Sequence, residues 1–215
     1  GSRVRFGFYH TSNLDSYASW GWYIDDVQVV TVPVIPASPA FSDDFESGLG
    51  DWSAVNGNWE LGTPPNGPGS CHSGSQCMGT NIDGYFPTAG NSRLISAPMD
   101  LQAVSGSDEL RLRFWQWYSY HQYDTGQVQV SVWDDGGGVW GAWEDIGETV
   151  VRVSDTWTRT DVDVTSYAGS RVRFGFYHTS NLDSYASWGW YIDDVQVVTV
   201  PVIPASPAFS DDFES

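Results

Sequence analysis

Two groups of carboxylates in this 215-residue chain have types and spacing that could bind a metal ion. Asp43, Asp44 and Glu46 lie in the segment DDFE, and Asp193 and Asp194 lie in the segment IDD. The chain contains nine arginines and no lysine to neutralise its acids. Because carboxylate oxygens are the ligands that Ca²⁺ prefers, we predict a structural calcium site. The alternative is that these acids cap turns by accepting backbone N–H bonds.

Two cysteines form the second chemically informative pattern. Cys71 and Cys77 lie close together in the segment SCHSGSQC. We predict a disulfide between them, which implies an oxidising compartment; the alternative is two free thiols. A zinc site is poorly supported, because His72 has no second ligand pair elsewhere in the sequence.

Aromatic residues form the third candidate site, a platform that could stack on sugar rings. The candidates, in the segments WQWYSYHQY and SYASWGWY, are Trp115, Trp117, Tyr118, Tyr120, Trp188 and Tyr191. The alternative is core filling and cross-strand packing. Strand alternation already accounts for half of these residues, so the sequence favours core packing.

Several functions are disfavoured by what the sequence contains. It has neither an H-E-x-x-H nor a G-x-S-x-G motif, and we predict that it is not an enzyme. The formal charge of −18 disfavours binding to nucleic acids and anionic membranes. Since no run of 18 apolar residues occurs, we expect no membrane insertion.

The elements that must position these residues are β-strands. The segments LRLRFWQWY, GQVQVSVW and RVRFGFY alternate apolar and polar side chains with a period of two. This pattern indicates strands with one buried face, as in antiparallel sheets. Gly-rich turn signals such as NGN and DDGGG separate the strands. The sequence therefore predicts an all-β fold made of two packed antiparallel sheets.

The chain also contains a long internal repeat. Residues 1–47 recur without a substitution as residues 169–215, an offset of 168 residues. We interpret the chain as a window on a tandem array of 168-residue units; the alternative is a protein with one partial duplication. The predicted parts are the C-terminal part of a preceding unit (1–32), a Pro-rich linker (33–40), a complete unit (41–200), a second linker (201–208) and the first strand of a following unit (209–215).

The two linkers have a regular proline spacing. Pro201, Pro204 and Pro207 recur every third residue, which matches the period of polyproline II. Such a segment is a semi-rigid spacer, so we expect neighbouring units to be held at a fixed separation.

A series of motifs resembles a known domain family. The segments FSDDFESGLGDWS, WELGTP, CMGTNIDGYF, RLISAPMDL, VQVSVWDDGGGVW and GWYIDDVQV occur in that order. They resemble the MAM-like jelly-roll domains of secreted bacterial proteins, such as immune-inhibitor-A-type metallopeptidases and large repetitive surface proteins. The resemblance implies a jelly-roll sandwich, an extracellular or cell-surface location and often bound calcium.

In a jelly roll of this type the first and last strands are neighbours, which would bring the two acid groups together. Asp193 alternates with Val195 and Val197, so its carboxylate is expected to be at least partly buried. The repeat copies of the calcium candidates are Asp25, Asp26, Asp211, Asp212 and Glu214.

The repeat suggests a structural role. Identical units can make the same contact head to tail, which generates an open fibre. The leading hypothesis is therefore a repeat unit of a beads-on-a-string extracellular filament or adhesin stalk. The alternatives are a carbohydrate- or protein-binding module that acts by avidity, with glycans as partners, and an accessory domain of a secreted metallopeptidase.

Overall fold

The regular secondary structure in the described part of the chain is almost entirely β-strand. The structure is a computed structural model that describes residues 6–9, 24, 27–30, 39–201 other than 58, 88–89, 105, 107, 183–184 and 186, and 207–211. Its strands are β1 (Val27–Val30), β2 (Phe41–Asp43), β3 (Ser53–Val55), β4 (Trp59–Gly62), β5 (Cys77–Thr80), β6 (Asn91–Ile95), β7 (Met99–Asp100), β8 (Glu109–Ser119), β9 (Thr125–Asp134), β10 (Val139–Trp140), β11 (Glu144–Val150), β12 (Thr158–Asp163), β13 (Arg171–Thr179), β14 (Gly189–Val200) and β15 (Pro207–Asp211). One 3₁₀ turn spans Thr165–Tyr167. No described helix is long and apolar enough to cross a membrane.

Contacts divide the chain into a larger unit, Ile35–Val202, and a smaller unit, Gly1–Val34 with Ile203–Ser215. The larger unit contains the complete repeat unit expected at residues 41–200. Most of the linker positions, 33–38 and 202–206, lie outside the described residues.

The larger unit is a sandwich of two antiparallel sheets, as the alternation predicted. The first sheet has the order β12-β8-β14-β5-β4, and β2 also pairs with β14. The second sheet has the order β10-β9-β13-β6-β3; β11 also pairs with β9, and β7 with β13. The prediction of an all-β, two-sheet antiparallel fold is confirmed.

The core lies between the two sheets and follows the predicted alternation. Strand β8 contributes Leu110, Leu112 and Phe114, and β13 contributes Phe174 and Phe176, all at most 1% exposed. Opposite faces of these strands therefore point away from the core. That geometry sets the direction of the candidate side chains on β8 and β13.

His178 continues the inward-facing row of β13 and gives a testable pH dependence. It is fully buried, and its Nδ1 lies 3.1 Å from the Tyr120 hydroxyl. Burial lowers the pKa of His178 to about 4, whereas an unfolded histidine titrates near 6.5. Between these pH values the unfolded chain binds a proton that the folded chain does not. Stability is therefore lost as the pH falls, by about 3 kcal/mol in total.

We expect the difference in unfolding free energy between the wild type and His178→Gln to shrink by about 3 kcal/mol from pH 7 to pH 4. Urea titrations at half-unit pH steps measure it. Every other titrating group is common to both proteins and cancels in the difference. A difference that stays constant over this range contradicts a neutral, buried His178.

The smaller unit repeats one strand pairing of the larger unit. Strands β1 and β15 are antiparallel and align Val27 with Asp211, Gln28 with Ser210 and Val29 with Phe209. Strands β14 and β2 align Val195 with Asp43, Gln196 with Ser42 and Val197 with Phe41. Each pair is related to its counterpart by the 168-residue offset of the sequence repeat, so the two copies of these segments pair in one register.

Candidate functional site

Asp193 and Asp194, the predicted metal ligands on β14, lie together beneath the loop that carries His72 and Ser73. Asp193, Asp194 and His72 place one ligand atom each within 4.8 Å of one another. His72 Nδ1 lies 2.6 Å from Asp194 Oδ2, and the Ser73 hydroxyl donates to Asp194 Oδ1 over 2.9 Å. His72 was not among the predicted metal ligands.

Asp193 is fully buried, although not for the reason that alternation suggests. It pairs with Trp115, and a register shift follows before Gln196 pairs with Arg113. Asp194 occupies this bulge with φ 49°. The bulge puts Asp193 on the face away from the core, where the loop at Ser73 covers it. Its carboxylate accepts the Ser73 and Asp194 backbone N–H groups. Burial, with a contribution from Asp194, raises the pKa of Asp193 to about 6.

Asp43 and Asp44, the predicted metal ligands at the end of β2, make turn and loop contacts. Asp43 accepts the backbone N–H of Phe45 over 2.8 Å and the indole N–H of Trp52 over 2.8 Å. Asp44 accepts the backbone N–H of Glu46. Backbone N–H bonds of this kind are expected if these acids cap turns, which is the alternative to metal binding. The repeat copies Asp25, Asp26, Asp212 and Glu214 lie outside the described residues, and only the backbone of Asp211 is described.

Glu46 organises the cysteine loop. Its carboxylate accepts the backbone N–H groups of Ser75 and Gln76 over 2.7 and 2.6 Å, and these bonds lower its pKa. Cys71 and Cys77 form a disulfide with a Cα–Cα distance of 5.5 Å. Gly74 has φ +53°, and any side chain there would clash with the Glu46 carboxylate. The close approach of Glu46 to the loop therefore requires a glycine. Glu46, Asp193 and Asp194 therefore hold the disulfide loop against the first sheet.

A cleft of about 420 Å³ lies beside this loop. All the residues that line it carry side-chain oxygens; they are Ser42, Asp43, Asp44, Ser47, Asp194 and Gln196. The structure thus brings Asp43, Asp44 and Asp194, three of the five predicted calcium ligands, to one cleft. Asp194 is also bonded to the neighbouring loop, as are Glu46 and Asp193.

Half of the predicted aromatic platform is covered. Trp117, Tyr120 and Tyr191 are at most 8% exposed. Gly67 packs closely over Trp117 and Tyr191, since a Cβ built on it would lie 3.3 Å from the Tyr191 hydroxyl and 3.4 Å from Trp117 Cζ3. These three positions have the buried environment that the core-packing alternative predicts.

The other three candidates are partly accessible. Tyr118 packs against the core from β8. The Trp115 ring stacks on His72 with 3.7 Å between centroids, and Trp188 packs against Tyr85 at 4.3 Å. No continuous six-residue platform results from these positions.

A different aromatic surface lies on the outer face of the second sheet. Because Phe174 and Phe176 face the core, Arg173 and Tyr177 face outward from β13. Tyr177 pairs with Arg93 of β6. Two tryptophans from β10 and the segment after it complete the surface. We call it the arginine–tryptophan face; it consists of Arg93, Trp140, Trp143, Arg173 and Tyr177.

Aromatic rings hold both guanidinium groups of this face. The Arg93 Cζ lies 4.6 Å from the Trp143 centroid and 4.5 Å from the Tyr177 centroid. The Arg173 Cζ lies 4.6 Å from the Trp140 centroid and 4.8 Å from that of Trp143. Such cation–π contacts fix the planes of the guanidinium groups.

Gly175 makes this close packing possible. A Cβ at Gly175 would lie 2.8 Å from Arg93 Cδ and 2.9 Å from Trp143 Cζ3. Any larger residue would therefore push Arg93 and Trp143 away from the strand. The glycine is a structural requirement of the face.

Hydrogen bonds extend the face toward a single acid. Arg93 Nε donates to Gln129 Oε1 over 2.8 Å, and Gln129 Nε2 donates to Asp145 Oδ1 over 2.7 Å. Burial lowers the pKa of Arg93, and burial together with Arg93 lowers the pKa of Arg173. Both groups nevertheless stay charged, as arginine does in proteins.

This face was missed at the sequence level, although part of its signal was present. The alternation in RVRFGFY and GQVQVSVW already placed Arg173, Tyr177 and Gln129 on outward faces. Half-exposed aromatic rings among hydrogen-bonding side chains can stack on a sugar ring and bond its hydroxyls. The face therefore combines aromatic rings and hydrogen-bonding side chains on the outer side of the second sheet.

The chain is similar in sequence to one part of a longer known protein. No protein-family model matches the chain. Bacillopeptidase F of Bacillus subtilis (strain 168) is 32% identical over 180 residues, which cover 82% of this chain. The chain spans 12% of the length of that relative.

Two solved structures are similar in fold at low sequence identity. TmCBM61 in complex with β-1,4-galactotriose has a TM-score of 0.50 at 16% identity, covering 73% of this chain and 94% of that chain. The CBM22-1–GH10 modules of the Clostridium thermocellum xylanase 10B, complexed with xylohexaose, have a TM-score of 0.50 at 16% identity, covering 78% of this chain and 30% of that chain. The predicted jelly-roll class is thereby confirmed for the fold of the larger unit.

Proposed function

We propose that this chain is a non-catalytic saccharide-binding module of an extracellular protein and that it binds through the arginine–tryptophan face. The observation that carries the proposal is the convergence of Trp140, Trp143 and Tyr177 on two ordered guanidinium groups. Indole rings supply apolar stacking area, while the guanidinium groups supply directional donors for ring hydroxyls.

The relatives give independent support. Two structural neighbours are described in complexes with β-1,4-galactotriose and with xylohexaose. Similarity to a segment of Bacillopeptidase F supports an accessory role within a larger protein. The Cys71–Cys77 disulfide supports an oxidising, extracellular location.

The test is to apply the full chain to a glycan array and to pull-downs on insoluble xylan, galactan and cellulose. We expect saturable binding to at least one saccharide class. Absence of binding to every array member and every polysaccharide contradicts the proposal. Since sugar-binding modules often have low affinity, the array should present the chain in multivalent form.

A second candidate function, the filament repeat unit, is supported by the smaller unit. Phe6 and Phe8 are 68% and 56% exposed, whereas their repeat copies Phe174 and Phe176 are core residues at 1% and 0%. We propose that the segment equivalent to residues 41–168, supplied by an adjoining repeat unit, buries these rings. The common register of β1–β15 and β14–β2 supports the same pairing of first and last strands in each repeat unit.

The test is to extend the chain at its N-terminus by a second copy of residues 33–168. We expect the unfolding enthalpy to approach twice that of the original chain, because a second sandwich of equal size forms. Backbone amides of residues 1–32 should also become protected from hydrogen exchange. An enthalpy and protection pattern like those of the original chain contradict the repeat-unit hypothesis.

We also propose that the oxygen-lined cleft binds Ca²⁺. Asp43, Asp44 and Asp194 line it together with the hydroxyls of Ser42 and Ser47. Side-chain oxygens are the ligand type that this hard cation takes, six to eight at a time. The hydrogen bonds already made by Asp43 and Asp44 leave further lone pairs on their carboxylates.

We expect calcium at about one hundred times its dissociation constant to stabilise the fold by about 2.7 kcal/mol. Thermal unfolding with Ca²⁺ or with a chelator measures the effect. Asp194→Asn should remove the calcium response, whereas Asp135→Asn, in an exposed turn, should keep it. An unchanged melting temperature of the wild type across a calcium titration contradicts the site.

A further inference from the structure

We propose that the arginine–tryptophan face selects saccharides that carry an isolated carboxylate, such as a uronic acid. This inference rests on the proposed saccharide-binding function and names the chemical class of its ligand. It follows from the charges of the face and from the geometry of Arg93 and Arg173.

The first observation concerns the partners of the arginines. Arg111, Arg113, Arg159 and Arg171 each have a carboxylate oxygen within 4.0 Å. Arg93 and Arg173 have no such ion pair among the described residues. Asp145 lies behind Gln129 and acts on Arg93 without an ion pair. The two neighbouring guanidinium groups still outnumber this one carboxylate, so in a chain of formal charge −18 they mark a local positive site. An anionic ligand group would supply the missing counter-charge.

The second observation concerns one donor. Arg173 Nε is buried from solvent and has no hydrogen-bond partner in the part of the chain that the structure describes. Buried donors in native proteins are nearly always satisfied, so a lone buried N–H calls for an explanation. Because this donor is covered, a ligand carboxylate would bond to the terminal N–H groups of the same guanidinium, which can also form a bidentate pair.

The third observation is that the guanidinium groups are held before a ligand arrives. Arg173 lies over Trp140 and Trp143, and Arg93 lies over Trp143 and Tyr177. Little side-chain freedom remains to be lost on binding, which favours affinity. Gln129 accepts the Nε–H of Arg93. The terminal N–H groups of Arg93 are left to face a ligand.

Overall charge limits how many carboxylates the ligand carries. A net charge of −18 repels a densely charged polyanion over its whole length. One carboxylate on an otherwise neutral sugar chain avoids this repulsion, because its charge meets only the local positive site. Neighbouring neutral sugar rings can then stack on the half-exposed tryptophans. The favoured ligand is therefore a sparsely charged glycan rather than a polysulfate.

The test uses matched pairs of oligosaccharides on xylan, galactan and glucan backbones. Each pair consists of a compound with a single uronic acid and the same compound with its carboxylate reduced to a primary alcohol. Calorimetric titration of the full chain should give at least tenfold tighter binding of the acid member in one or more pairs. This preference should weaken as NaCl is raised.

Arg173→Gln should abolish the preference while binding of the reduced member persists. Arg173→Lys keeps the charge but loses the planar fork, so we expect an intermediate preference. Arg159→Gln, the same charge change on the first sheet, should keep the full preference. Melting temperatures verify that each variant folds, and the salt dependence of the wild type tests the inference without any variant.

The outcomes separate this inference from the function on which it rests. Equal binding of acid and reduced members, with some saccharide bound, overturns the carboxylate preference and leaves saccharide binding intact. An acid preference that survives in Arg173→Gln also overturns it. Failure to bind any compound, acidic or neutral, overturns the proposed function itself.

Discussion

Replacing Trp143 by alanine is expected to weaken saccharide binding at least tenfold. Trp143 contacts both Arg93 and Arg173, so its loss removes one stacking surface and releases both guanidinium groups. Stacking of a nucleic-acid base on an aromatic side chain contributes about 1–3 kcal/mol, and we take that range for a sugar ring. Because the ring lies on the outer face, we expect the free energy of unfolding to change by about 1 kcal/mol at most.

The matched control is Trp188→Ala. Trp188 is half-buried, packs against Tyr85, and belongs to the platform that the sequence suggested. Affinity for the saccharide that binds best on the array, measured by titration calorimetry, should fall only for Trp143→Ala. A loss of affinity in Trp188→Ala with normal affinity in Trp143→Ala contradicts our assignment of the binding face.

Replacing Trp190 by alanine is expected to destabilise the larger unit by about 3–5 kcal/mol. Trp190 is fully buried and packs against Trp59, Phe114 and Phe176. Its indole N–H donates to Gln116 Oε1 over 2.9 Å. Truncation therefore leaves a cavity between the sheets and an unsatisfied buried amide.

Equilibrium urea unfolding measures this loss. Trp157→Ala is the control, because Trp157 is half-exposed and its indole N–H donates to the Ser70 carbonyl. We expect Trp157→Ala to cost about 1 kcal/mol or less. If Trp190→Ala were equally mild, the two sheets would not share the core described here.

The sheets could be predicted because alternation is a local property. In β8 and β13, each inward residue that the sequence marked as apolar is buried. The order of strands within each sheet could not be read in this way. It depends on contacts between segments far apart in the chain, such as β8 with β14.

The repeat shows how far tertiary context controls a local segment. Residues 174–177 lie in β13, whereas the identical residues 6–9 are described without regular secondary structure. Strand propensity measures how well a segment fits against its neighbours. The same four side chains therefore form a strand where β9 and β6 flank them.

The candidate sites depended on features that alternation does not contain. The bulge at Asp194 reverses the side of the sheet on which Asp193 lies. Gly67 covers Trp117, and the disulfide loop covers Asp193. Both covering segments are distant in sequence from the residues that they cover. Trp143 reaches the arginine–tryptophan face from a connection, and only Gly175 makes room for it. Such positions follow from three-dimensional packing rather than from a periodic pattern.

The most direct test of saccharide binding by the arginine–tryptophan face is an NMR titration of the tryptophan indole N–H signals. Single Trp→Phe variants assign the signals, and the saccharide that binds best on the array serves as ligand. Our account predicts saturable shifts of the Trp140 and Trp143 signals, with those of Trp115, Trp117 and Trp188 unchanged. Saturable shifts confined to Trp115, Trp117 or Trp188 would place the ligand on the first sheet and contradict it.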